Sequence, residues 1–204
     1  MRAVRWCFLG LCACAGELEP EPEQMAPTPP VEFLPVATGS CPGFADGEGC
    51  FADPFGLTCT FSPDGVAPRP VRLWLDPERE SYESLTFYWH GLGASTWDGA
   101  SHMPVAWIVD AGGILAAPEK SGDLDIPFGD PWFTEVDQTG PSDDFVVMDE
   151  VVACAIEHLG LNPRRIHSVG VSSGGAQTTQ VGRRRSGYVA SVVVFSGYLI
   201  GEPE

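Results

Sequence analysis

The segment from Arg165 to Thr178, R-I-H-S-V-G-V-S-S-G-G-A-Q-T, constrains this chain more than any other. An apolar strand pattern runs directly into Gly170-Val171-Ser172-Ser173-Gly174, and a helical pattern leads directly out from Gly174. A strand-to-helix turn this tight forces its central serine into strained backbone angles. It lifts the hydroxyl clear of the sheet's C-terminal edge. Gly170 and Gly174, with Gly175 behind them, leave room for the backbones that crowd the turn. The following helix aims free N–H groups at the same space, where they can meet a developing negative charge. Ser172 is therefore the candidate nucleophile, and the Ser173 backbone N–H is a candidate oxyanion donor.

The elements around this turn alternate. Val71 to Leu75 and Leu85 to Trp89 read as strands. Met103 to Ala111 reads as a helix stopped by Gly112-Gly113, and G-I-L-A-A-P as a buried strand. Phe145, Met148, Val152, Ile156 and Leu159 recur at three- and four-residue steps. They predict a helix with Ser142, Asp143 and Asp144 as cap and first-turn acids. The elbow strand and helix come next, and Ala190 to Phe195 reads as a last strand. Strands separated by helices predict βαβ units, with helices on both faces of a mostly parallel sheet. Continuous apolar strands agree with that burial. Cys41 to Cys59 is rich in Gly and poor in periodicity.

The strand L-T-F-Y-W ends in His90-Gly91-Leu92-Gly93. Together with Ala116-Ala117-Pro118, the lead-in Asn162-Pro-Arg-Arg-Ile and G-V-S-S-G-G, it makes Leu85 to Phe195 similar to a known family. The run resembles the polyhydroxybutyrate-depolymerase and feruloyl-esterase-like branch of secreted α/β-hydrolases, over roughly the first two thirds of the catalytic domain. The resemblance implies a serine hydrolase of carboxylic esters, small or polymeric, working through an acyl-enzyme on Ser172 with no cofactor. It also implies that Leu92 or Gly93 gives the second oxyanion N–H, with His90 bracing the loop. The triad order in this fold is Ser, then an acid, then His. All four histidines, His90, His102, His158 and His167, precede Ser172. Glu202 follows the last strand at an uncommon position for an acid. The V-V-V-F strand would be left as an uncovered apolar edge. The expectation is a C-terminally incomplete domain without its triad acid and His. The alternative function is a catalytically inactive relative or fragment.

Other side chains have plainer readings. His158 and His167 fit a helix end and a strand, and His102 follows a loop. Asp123, Asp125 and Asp130 lack the spacing of a calcium loop, so no metal is expected there. Trp132 and Phe133 form an aromatic pair in the acidic loop that can either contact substrate or anchor the loop. Arg183-Arg184-Arg185 suits a helix C-terminus.

The N-terminus reads as an export segment. Arg2 and Arg5 precede an apolar stretch from Trp6 to Ala13, too short to span a bilayer. Leu11-Cys12-Ala13-Cys14 resembles a lipobox, which makes 1–13 a lipoprotein signal and Cys14 the lipidated residue. A Pro- and Glu-rich tether over 14–40 and a folded domain over 41–204 follow. The expected location is an outer-membrane or cell-surface lipoprotein, or otherwise the periplasm or medium. Of seven cysteines, Cys41, Cys50, Cys59 and Cys154 remain for the domain, an even number that suits an oxidising compartment. Their pairing is open among three arrangements, and an unpaired Cys154 on a helix is a further reading. Zinc is the alternative, but neither a C-x-x-C pair nor a nearby His accompanies them. A net charge of −17 repels phosphate backbones and anionic lipid, so nucleic acid is excluded and membrane contact is expected only through the lipid.

Overall fold

The computed structural model describes residues 33–120, 132 and 143–197. Cys14, Phe133, Asp123, Asp125, Asp130, Glu202 and the 1–13 segment lie outside these residues. The elements are β1 (Cys50–Asp53), β2 (Gly56–Phe61), β3 (Arg69–Trp74), β4 (Ser84–Trp89), α1 (Asp98–His102), α2 (Val105–Asp110), β5 (Gly113–Pro118), α3 (Asp143–Leu159), β6 (Ile166–Val171), α4 (Ser173–Arg184) and β7 (Val189–Phe195).

The strands form one sheet in the order β1-β2-β3-β5-β4-β6-β7. β5, β4, β6 and β7 run parallel, and β1, β2 and β3 add antiparallel pairs at one side. This is the expected α/β architecture with a mostly parallel sheet. Alternation along the strands builds two cores. Val71, Leu73, Leu85, Phe87, Trp89, Ile114, Ala116 and Ile166 point to one face, against α3 and Val181 of α4. Trp74, Tyr88, Leu115, Ala117 and Val169 point to the other, against Val105, Ile108 and Val109 of α2. Neighbouring residues of one strand thus serve opposite layers, which is why these strands read as unbroken apolar runs.

Three local expectations need correction. The helix read from Met103 to Ala111 is shorter, Val105–Asp110 with Pro104 at its N-cap, and a separate short helix, α1, precedes it. The Gly-rich stretch before Phe61 holds a hairpin, β1–β2, whose paired residues Cys50 and Cys59 are joined by a disulfide. The boundary expected at Cys41 lies too late. Glu150, buried in α3, accepts hydrogen bonds from the Thr38 N–H (2.8 Å), the Thr38 hydroxyl (3.2 Å) and the Gly39 N–H (2.8 Å). Leu34 and Ala37 pack on the core beside them. The second disulfide, Cys41–Cys154, ties the same segment to α3.

An ion pair links the two halves of the fold. Arg69 on β3 donates to Asp144 in the first turn of α3 at 2.7 Å, and both side chains are buried. At the far edge, Val192, Val193, Val194 and Phe195 of β7 are exposed, as the sequence predicts for an uncovered strand. Among the described residues no helix is long and apolar enough to cross a membrane.

Candidate active site

Ser172 separates the last residue of β6 from the first of α4, at φ 56° and ψ −121°. A positive φ at a residue with a side chain is strained, and such strain is held only where surrounding contacts fix it. Here the Ser172 N–H donates to the Phe195 carbonyl at 2.8 Å, and the Ser172 carbonyl accepts from Ala176 N–H at 3.1 Å. A Cβ on Gly170 would lie 2.0 Å from the Gly174 carbonyl oxygen, and one on Gly174 would lie 1.9 Å from that of Trp89. Only hydrogen fits at either place. Gly175 faces the turn at Gly197 beyond β7. Ser172 itself is exposed while Ser173 is buried. The Ser173 N–H belongs to the first turn of α4, whose donors have no intrahelical partner and carry the positive end of the helix dipole.

The His90–Gly93 loop lies directly beside this turn. A Cβ on Gly91 would stand 3.5 Å from the Ser172 Cβ. Leu92 and Gly93 continue in a turn closed by Ala94 N–H donating to the Gly91 carbonyl at 3.1 Å, with Gly93 at φ 73°. His90 is 1% exposed, and its Nδ1 lies 3.0 Å from the Gly91 carbonyl. A carbonyl only accepts, so Nδ1 carries the hydrogen. Burial pushes the His90 pKa below the ordinary value, outweighing the bond to Gly91 and Glu119 at 4.0 Å. The ring stays neutral and serves as a brace.

Trp132 is 1% exposed. Its indole stands edge-on to Trp89, with centroids 5.0 Å apart, and its Nε1–H donates to the His90 carbonyl at 2.8 Å. A side chain so enclosed does not contact substrate, so that reading is corrected in favour of the loop anchor. No sequence signal pairs Trp132 with His90, because the two are 42 positions apart in an irregular stretch.

The other histidines are occupied elsewhere. His102 stacks on Tyr88 and meets its hydroxyl at 3.1 Å. His158 lies beside Glu157 at 3.8 Å. His167 contacts the Ser191 hydroxyl at 2.9 Å across β6 and β7, and burial lowers its pKa. None of these contacts, among the described residues, reaches Ser172.

No protein-family model matches the chain, and no curated protein matches it. Solved structures do. A structure of a thermostable esterase matches 72% of this chain and 42% of its own, at 18% identity and a TM-score of 0.55. An acetyl xylan esterase from Aspergillus awamori matches 64% and 47%, at 15% identity and a TM-score of 0.52. A ferulic acid esterase matches 69% and 58%, at 17% identity and a TM-score of 0.53. The chain thus spans less than two thirds of the length of each. The sheet order, the elbow at Ser172 and these neighbours agree on one architecture: the chain has the α/β-hydrolase fold.

Proposed function

We propose that the chain is an exported serine hydrolase of carboxylic esters. The observation that carries this reading is the strained, exposed Ser172 at the N-terminus of α4 with Gly91 packed beside it. Ser172 Oγ attacks the ester carbonyl. The oxyanion accepts from the Ser173 N–H and from an N–H of Leu92 or Gly93. Collapse expels the alcohol and leaves an acyl group on Ser172, which water then removes. The reaction needs no cofactor. Substrates are small or polymeric esters of the kind cleaved by polyhydroxybutyrate depolymerases and feruloyl esterases, a class supported by the esterase names among the fold neighbours. Two disulfides support an oxidising compartment, and Leu11-Cys12-Ala13-Cys14 supports a lipid on Cys14.

A second reading rests on the histidines. Ser172 needs a base to take its proton, and none of the four rings contacts it among the described residues. A protein that kept the fold and lost the reaction has this arrangement. A fluorophosphonate probe separates the two. Labelling of wild type at Ser172, absent in Ser172→Ala, supports the hydrolase. A folded, probe-silent wild type supports the inactive relative. Detergent-phase partitioning that disappears in Cys14→Ser tests the anchor.

A further inference from the structure

We infer that reduction of the Cys41–Cys154 disulfide opens a zinc site formed by Cys41, Cys154, Glu157 and His158. Cys154, Glu157 and His158 are neighbours in sequence, and the fold brings the distant Cys41 to them. The Cys41 Sγ, a Glu157 carboxylate oxygen and a His158 ring nitrogen all lie within 4.8 Å of one another. Cys154 lies outside that group, but its sulfur is bonded to that of Cys41 at 2.02 Å and becomes a fourth donor once the bond opens and the side chain turns toward the other three. Cys154, Glu157 and His158 stand at positions i, i+3 and i+4 of α3 and so share one helix face.

The donor set is the second support. Two thiolates, an imidazole and a carboxylate form a four-coordinate S2NO shell, which suits zinc rather than calcium or magnesium. Ligands around a tetrahedral zinc sit roughly 3–4 Å apart, a spacing that small side-chain rotations reach from the observed one. Burial differs across the cluster. Cys154 is enclosed, Cys41 is half-buried, and Glu157 and His158 are exposed, so one side is walled and the other is open to an incoming ion. The Phe44 ring, its centroid 6.4 Å from that of His158, limits the directions the imidazole can take. Among the described residues Glu157 and His158 have no ion-pair partner except each other.

In the disulfide state both sulfurs are neutral and bonded to one another, and the site is closed. A phosphine opens it. Phosphorus gives two electrons to the S–S bond and takes an oxygen from water as phosphine oxide, and the two sulfurs leave as thiols. Zinc then displaces both thiol protons into solvent.

The test uses the full chain, oxidised or reduced with a water-soluble phosphine under argon, titrated with cobalt(II) as a spectroscopic stand-in for zinc. Reduced wild type is expected to bind one more cobalt than oxidised protein, with tetrahedral ligand-field bands and a thiolate-to-cobalt charge-transfer band. His158→Ala should weaken that binding at least about tenfold, since even outer-shell losses cost that much. Cys50→Ser/Cys59→Ser should leave it intact. The inference is overturned if reduction adds no such spectrum. It is also overturned if His158→Ala leaves the spectrum unchanged, as it would if cobalt sat on Cys7, Cys12 and Cys14. Should reduction unfold the chain, zinc restores helical circular dichroism to wild type and not to His158→Ala. Equal behaviour of the two would again overturn it.

Discussion

The Trp132 indole N–H donates a 2.8 Å hydrogen bond to the backbone carbonyl of His90. The bond fixes the first residue of the loop that lies against Ser172. It joins two parts of the chain that share no helix or strand. Trp132→Phe keeps one aromatic ring but removes the donor and part of the buried indole. We expect a loss in denaturant unfolding at or above the ~1–3 kcal/mol of stranding a buried acceptor, because a cavity adds to it. If Ser172 is reactive, its labelling should slow as well. Unchanged stability would show that the carbonyl finds another donor.

Gly174→Ala should be more damaging. Its Cβ would fall 1.9 Å from the Trp89 carbonyl oxygen, where the neighbour is backbone and cannot swing aside. The expected loss is at or above the ~1–3 kcal/mol of ordinary overpacking, with any Ser172 reactivity lost. A variant that melts and labels like wild type would mean the turn has more room than these distances give.

Arg69 and Asp144 offer a cleaner energetic test. Asp144→Ala leaves the Arg69 guanidinium buried without its nearest carboxylate. We expect a loss of about 3–5 kcal/mol. The double variant Arg69→Met/Asp144→Leu should recover most of it, because a well-packed apolar pair often replaces a buried ion pair at no cost. Failure of the double variant to recover would mean the pair orients α3 in a way apolar packing does not.

The two disulfides should differ in worth. Cys41–Cys154 spans a sequence separation of 113 and Cys50–Cys59 one of 9. Loop-closure entropy assigns about 5 kcal/mol to the first and about 3 to the second. Paired Cys→Ser variants, compared by chemical denaturation, should keep that order. The reverse order would show that the hairpin staple carries enthalpy that loop length does not count.

His90 and His167 make the fold sensitive to acid. Both have folded pKa values below the ordinary 6.5, so the unfolded chain binds more protons than the folded one. Their contribution is complete above about pH 6.5 and is lost as the pH falls below it towards each folded value. The denaturation midpoint should drop between pH 7.5 and pH 5, and less steeply in His90→Asn. Identical slopes would remove His90 as a source.

The parts legible in the sequence are those with short-range causes. The elbow shows because strand, glycines, serine and helix are contiguous from Ile166 to Arg184. The α3 stripe shows because its period is local. The β1–β2 hairpin stayed hidden because its Gly-rich stretch has no strand periodicity, and its ladder is set by pairing with β3 and by the Cys50–Cys59 bond. Nothing local marks Glu150 as the acceptor for Thr38 and Gly39, which come from the far end of the chain. His158 and Cys41 are far apart in the chain and meet only when the N-terminal segment lies down on α3. In each case the deciding partner comes from elsewhere in the chain, and a periodicity of two or four residues cannot see it.

The Cys41–Cys154 bond also sets how the domain carries mechanical load. A pull applied through the residues before Cys41 reaches Cys154 across the sulfurs, without passing through the residues between. The closed loop holds β1 to β5, the His90–Gly93 turn and most of α3. None of it can be drawn out while the bond stands. Tension along the chain would fall instead on the last turn of α3, β6, the Ser172 turn, α4 and β7. A force experiment on oxidised protein should therefore lengthen the residues before Cys41 and this later segment but not the loop between, and thiol reductant should release the rest.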